Sequence, residues 1–205
     1  MDTSSFVIIN PKDIIDVSKA RSVVAKTARK YGQKTAQSLR FAQNIAVEIQ
    51  TLGGAKMNPN LHGYNASYGD GIPMANKNTH AEIKTNHQVL FQDVTQETLD
   101  DIANGKIIIS LSAWGTQPYP DWILVGSSEQ VKEQLLKSYK PSNKRPYCTA
   151  SFQHCFERGF KLVILGDKEE VVSDLAQKYP KLAEKFNFDD IICTQEEAKA
   201  FVATL

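Results

Sequence analysis

The chain has 205 residues, of which 41% are hydrophobic and 23% are charged, and its formal net charge is +1. These values are ordinary for a globular protein with one sizeable core. The three cysteines, Cys148, Cys155 and Cys193, argue against a secreted disulfide scaffold, and no apolar run reaches the length of a membrane span. We therefore expect a single domain over residues 1–205, in a cytoplasmic setting and without a membrane partner.

Positive charge is concentrated near the N-terminus. Nine Lys or Arg but only three Asp or Glu lie between Lys12 and Lys56, so the rest of the chain carries a net charge of −5. Two helices are predicted there, Pro11 to Tyr31 and Lys34 to about Gln43, within a basic helical segment over residues 1–44. This segment can bind the phosphates of a nucleotide or nucleic acid, or it can be a solvated helix face. The residues expected to contact phosphate are Lys26, Arg29, Lys30, Lys34 and Arg40.

The middle of the chain alternates predicted helices and strands. Residues 45–52 fit either a strand or a continuing helix, and Gly53-Gly54 ends this segment. The Ile107-Ile108-Ile109 run is typical of a buried strand. The elements predicted here are a strand over 61–67, a helix opening at His80, a helix over 96–103 closed by Asn104-Gly105, strands over 106–111 and 122–125, a helix over 128–139, and a linker over 140–147.

The C-terminal third shows the clearest pattern. It predicts a helix over 148–158, a strand over 161–165, helical structure over 169–186, a strand over 190–193 and a last helix over 195–203. Strand, helix, strand and helix at these lengths indicate a parallel βαβα unit with a right-handed crossover. The predicted fold class is α/β, with three αβα layers and a mixed sheet.

Two polar motifs lie between residues 63 and 82. Gly63-Tyr64-Asn65 is followed by Thr79-His80-Ala81-Glu82, in which Thr79 and Glu82 have the spacing of a capping box. This spacing predicts that His80 lies in the first turn of a helix. A metal-binding His two residues before a Glu that shuttles protons suits hydrolysis by zinc-activated water. The segment resembles the zinc-dependent cytidine/deoxycytidylate deaminase superfamily.

That resemblance implies a deaminase-like outline and removal of an amino group from a base of a nucleotide or nucleic acid. Glu82 would be catalytic, Asn65 and Tyr64 would bind substrate, and Zn²⁺ would be held by His80 and two thiolates. The family motif, Pro-Cys-x-x-Cys, is matched by Pro146-Tyr147-Cys148, but Ser151 stands at its second cysteine. The metal set is then His80, Cys148 and either Cys155 or His154, or the chain is a non-catalytic relative.

A second reading uses the same segment. Asp70, Glu82 and Lys84 form an Asp-x11-Glu-x-Lys pattern. It resembles the PD-(D/E)xK nuclease superfamily of restriction and repair enzymes, although Gly69 stands where a proline is usual. The resemblance implies that the two carboxylates hold Mg²⁺, with Glu48 as a further ligand, and that Lys84 polarises water or phosphate.

The local structure of residues 79–87 separates the two readings. A helix places Glu82 and Lys84 about 200° apart, whereas a strand places them on one face, as the nuclease chemistry requires. A third alternative is a non-enzymatic protein that binds phosphate or a partner through its basic helices. Homo-oligomers are compatible with each reading.

Overall fold

A computed structural model describes residues 47–57, 69–73, 79–113, 120–141 and 144–205. The two predicted N-terminal helices, with their five basic residues, lie outside these ranges. So do the predicted strand over 61–67 and the candidate substrate residues Tyr64 and Asn65. Within the described ranges, no helix is long and apolar enough to cross a membrane.

Within the described residues, eight strands form two sheets. In chain order they are β1 (Ala55–Met57), β2 (Gly71–Pro73), β3 (His80–Lys84), β4 (Gln88–Gln92), β5 (Ile107–Ala113), β6 (Trp122–Ser127), β7 (Tyr147–Ser151) and β8 (Lys161–Ile164). The larger sheet has the order β1-β2-β3-β5-β6-β8, and the smaller one pairs β4 with β7. Strands β3 and β5 run parallel, whereas every other named pair is antiparallel.

Helices cover both faces of the larger sheet. They are α1 (Gln96–Ala103), α2 (Ser128–Lys137), α3 (Phe152–Glu157), α4 (Lys168–Lys178), α5 (Pro180–Lys185) and α6 (Gln195–Thr204), and residues 47–50 are also helical. A capping box at Thr95 begins α1. Asn104 and Gly105 end the helix, as the sequence predicts.

The two faces of the larger sheet have separate cores. The first face carries Ile107 and Ile109 and packs against α1 to α5 and the smaller sheet. The second face carries Ala81, Ile83 and Ile108 and packs against α6 and the helical residues 47–50. The predicted three-layer α/β class with a mixed sheet is therefore confirmed.

Three local predictions are wrong. Residues 80–84 form a strand and not the start of a helix, because Ala81 and Ile83 alternate with polar residues and are both buried. Cys148 lies in β7 and not in a helix, which begins only at Phe152. The segment between the helix predicted at His80 and the one predicted over 96–103, in which no strand is predicted, contains β4, whose apolar residues Val89 and Phe91 face the core.

The C-terminal third has its predicted order of helices and strands, but its last strand is much shorter than predicted. Its helices are present, but the strand expected over 190–193 consists of a 3-10 turn, Phe188–Asp190, and one parallel bridge between Ile192 and Leu162. The predicted linker does not separate two cores, because β7 follows it and pairs with β4, which precedes it.

An aromatic cluster joins the β3–β4 turn to α3 and α4. His87 Nδ1 and Tyr179 Oη are hydrogen-bonded at 2.8 Å, and the His87 ring packs against Trp122 and Phe152 at centroid distances of 4.9 and 5.9 Å. Burial, with a contribution from the nearby Lys178 charge, lowers the pKa of His87 to about 4. The folded protein therefore holds this imidazole in its neutral form.

This lowered pKa predicts that stability falls on acidification. The unfolded chain takes up a proton at His87 near its ordinary pKa of 6.5, whereas the folded chain does so only near 4, so protons favour unfolding between these values. We expect the urea midpoint to fall between pH 7 and pH 4.5, and the fall to be smaller in His87→Gln. The control is His154→Gln, outside the cluster, which should behave as wild type. Equal losses in all three proteins would contradict the assignment.

Candidate functional site

Strand β3 carries charged side chains toward the first face of the larger sheet. Its parallel register sets Glu82 beside Ile109 and Lys84 beside Leu111, both of which belong to the first core. The alternate residues, Ala81 and Ile83, point to the second core. Glu82 and Lys84 therefore share one face of a strand, the arrangement that the Glu-x-Lys chemistry requires.

Asp70 comes directly before β2, the strand that pairs with β3. Its Oδ2 accepts a hydrogen bond from the Ile83 N–H at 3.0 Å, so the carboxylate lies against the peptide that links Glu82 to Ile83. Gly71, the next residue, faces Val47 and Ala81 on the second face. The bond of Asp70 to the Ile83 N–H places its carboxylate at the edge of β3, next to the backbone of Glu82.

The three charges lie at the edge of the buried region. Lys84 Nζ is bonded to Glu82 Oε1, and the two side chains are only 19% and 17% exposed. The ammonium also lies 5.8 Å from the centre of the Phe91 ring. Two carboxylates and one ammonium leave the group with a net negative charge in a setting that water screens poorly.

A second polar pair extends the site toward α1. His80 precedes Glu82 on the same face of β3, and its Nδ1 lies 3.8 Å from Asp101 Oδ2. Lys106 Nζ lies 3.5 Å from the other Asp101 oxygen. Burial lowers the pKa of His80, an effect that the nearby carboxylates, led by Asp101, oppose. Neither Asp101 nor Lys106 is marked by a sequence motif; only the helix register brings Asp101 to His80.

Two of these side chains, Asp70 and Glu82, carry the type of ligand that Mg²⁺ binds. Mg²⁺ prefers oxygen ligands and is commonly held by one or two carboxylates, with water and substrate phosphate completing its shell. Asp70 and Glu82 supply two such groups, one from the residue before β2 and one from β3. Glu48, predicted as a further ligand, lies in the helical segment over 47–50, which packs on the second face through Val47. This is the face opposite Glu82 and Lys84.

The same structure does not assemble the predicted zinc set. Cys148 lies in β7 and Cys155 in α3, and both are fully buried. Burial raises the pKa of each thiol to about 12, whereas zinc binds the thiolate. In the part of the chain that the structure describes, no three His, Cys, Asp or Glu residues are grouped to hold a metal ion.

Comparisons with models of protein families, with curated proteins and with solved structures found no match to this chain. The geometry of Asp70, Glu82 and Lys84 is therefore the basis for a functional conclusion.

The turn before Asp70 predicts that alanine substitutions at two glycines, Gly69 and Gly53, differ in their effect on stability. Gly69 has φ +73°, and a Cβ there would lie 2.6 Å from His80 Cδ2 and 2.8 Å from the Ala81 carbonyl oxygen. Gly53 has φ +80°, with no atom within 4 Å of the equivalent position. Both alanine variants incur the cost of left-handed backbone, about 1–2 kcal/mol.

Only Gly69→Ala adds a steric clash, so we expect it to lower the free energy of unfolding by at least about 1 kcal/mol more than Gly53→Ala does. Urea unfolding of the two variants measures the difference. If the two variants are equally stable, the close approach of Gly69 to β3 is disproved.

Proposed function

We propose that this protein is a magnesium-dependent nuclease that hydrolyses phosphodiester bonds of nucleic acid. Asp70 and Glu82 would hold Mg²⁺, and Lys84 would act on the water or the phosphate. The observation that carries the proposal is the strand at residues 80–84, which sets Glu82 and Lys84 on one face while the Asp70 carboxylate binds the peptide between Glu82 and Ile83.

The roles of the three side chains follow from their charges. When bound, Mg²⁺ supplies Lewis-acid stabilisation of the charge that develops on the phosphate. The Lys84 ammonium is a compact donor that can hold a phosphate oxygen or orient the attacking water. Its bond to Glu82 fixes its position at the edge of the buried region, where electrostatic contacts are stronger than in bulk water.

The deaminase alternative has weaker support. It needs His80 at a helix start with two thiolates nearby, whereas His80 lies in a strand and the candidate thiols are buried in other elements. A non-enzymatic role through the basic N-terminal segment depends on residues outside the described ranges. The three-residue group on β2 and β3 therefore favours the nuclease proposal.

The nuclease proposal predicts cleavage that depends on Mg²⁺ and Lys84. Duplex DNA, single-stranded DNA and RNA are incubated with Mg²⁺, Mn²⁺ or EDTA, and the products are separated on gels. Lys84→Ala should slow cleavage by about 100-fold or more, the usual effect of removing a charge-stabilising group. Lys137→Ala, which removes an exposed lysine of α2, should leave it unchanged. Intact substrates in all conditions, or full activity in Lys84→Ala, would refute the proposal.

The metal site predicts an independent result for Asp70→Asn. The amide oxygen can still accept the Ile83 N–H, so the fold should be retained, but the charge that attracts the cation is removed. We expect Mn²⁺ affinity, measured by titration calorimetry, to fall about tenfold or more, the scale of one lost metal contact. Asp100→Asn, an exposed change on α1, is the control. Unaltered affinity in Asp70→Asn would remove Asp70 from the site.

A further inference from the structure

A row of three side chains crosses the first face of the larger sheet beside the proposed catalytic group. Lys56 of β1 is directly opposite Ile72 of β2. The β2–β3 register, fixed at Gly71 and Ala81, places Ile72 opposite His80 when it is extended by one residue. We name the residues Lys56, Ile72 and His80 the docking strip; Asp70 and Glu82 form the adjacent row.

The first face changes from buried to open along this strip. Ile107 of β5, the next residue beyond His80 in the row, is fully buried. Ile72 is 38% exposed, and only Leu136, at 39%, is a comparably exposed large hydrophobic residue in the part of the chain that the structure describes. The proposed catalytic group lies next to this boundary, and the exposed residues Lys56 and Ile72 of β1 and β2 lie on its more open side in the part of the chain that the structure describes.

The charge of the strip suits a polyanion. Lys56 is exposed, and no ion pair involves it within the described ranges. Two strand spacings of about 4.8 Å place β1 about 10 Å from β3. A few consecutive phosphates of a nucleic-acid strand, at an axial repeat of about 3.4 Å, span that distance. Lys84 lies four residues beyond His80 on β3, about 13 Å along the strand, so a phosphate chain at Lys84 reaches Lys56 over about 16 Å, or about five such repeats.

We propose that the docking strip binds the nucleic-acid backbone next to the phosphodiester that is cleaved, which rests on the proposed function. Lys56 contacts a neighbouring phosphate and Ile72 packs against the adjoining sugar. His80, held from the Nδ1 side by Asp101, borders the path between Ile72 and Glu82. An apolar residue flanked by a cation and an imidazole matches a backbone that alternates sugars and charged phosphates.

The test is a titration of the full chain with a short fluorescein-labelled DNA duplex and with one of its strands. Ca²⁺ replaces Mg²⁺, intact DNA is verified after each titration, and the salt concentration is varied. Lys56→Ala should weaken binding and reduce the slope of log affinity against log salt by about 1, the loss of one phosphate contact. Ile72→Ser should weaken binding several-fold with an unchanged slope. The controls, Lys137→Ala and Leu136→Ser, are exposed changes on α2 and should match wild type.

The outcomes separate the docking proposal from the catalytic one. Wild-type affinity and slope in both strip variants would overturn the docking strip, as would absence of wild-type binding at low salt. Cleavage that depends on Lys84, with unaffected strip variants, would retain the nuclease and reject the strip. Binding that depends on Lys56 and Ile72, without Mg²⁺-dependent cleavage, would retain the strip and reject the nuclease. Thermal unfolding confirms that each variant is folded.

Discussion

The hydrogen bond between the Ile83 N–H and the Asp70 carboxylate completes the sheet where backbone pairing ends. Strand β2 pairs with β3 only at Gly71 and Ala81, so the Ile83 N–H needs another acceptor, and Asp70 Oδ2 supplies it at 3.0 Å. A buried N–H without a partner would cost about 1–3 kcal/mol. The acceptor is thus a carboxylate of the proposed site, so the sheet edge and the proposed site depend on the same bond.

Partial burial gives this group its chemical character. Glu82 and Lys84 are bonded to each other and mostly shielded from water, which strengthens their mutual attraction. Carboxylates such as those of Asp70 and Glu82 can coordinate a divalent cation directly, as the proposed function requires. On the same face of the sheet, the side chains of Lys56 in β1 and Ile72 in β2 are exposed.

Regular elements with strong local signals were predictable. The end of helix α1 follows from Asn104-Gly105 and β5 from its run of three isoleucines. Short strands were missed: β1 and β2 have only three residues each, too few to show a period. The acidic and basic residues of the nuclease pattern were identified from sequence, but their partners Asp101 and Lys106 were not, since a contact between α1 and β3 depends on tertiary packing.

The predicted helix at His80 is wrong because burial of apolar side chains contributes more free energy than a helix cap does. A capping interaction at Thr79 is worth about 1 kcal/mol. Burying an isoleucine side chain contributes about 1.5–3 kcal/mol, and Ile83 is buried with Ala81 on the second face. A helix would separate these two residues by about 200° and could not bury both against one core. Residues 80–84 therefore form a strand, which sets the intervening Glu82 on the same face as Lys84. The packing of the apolar residues, and not any attraction between the charges, determines which side chains meet at the proposed site.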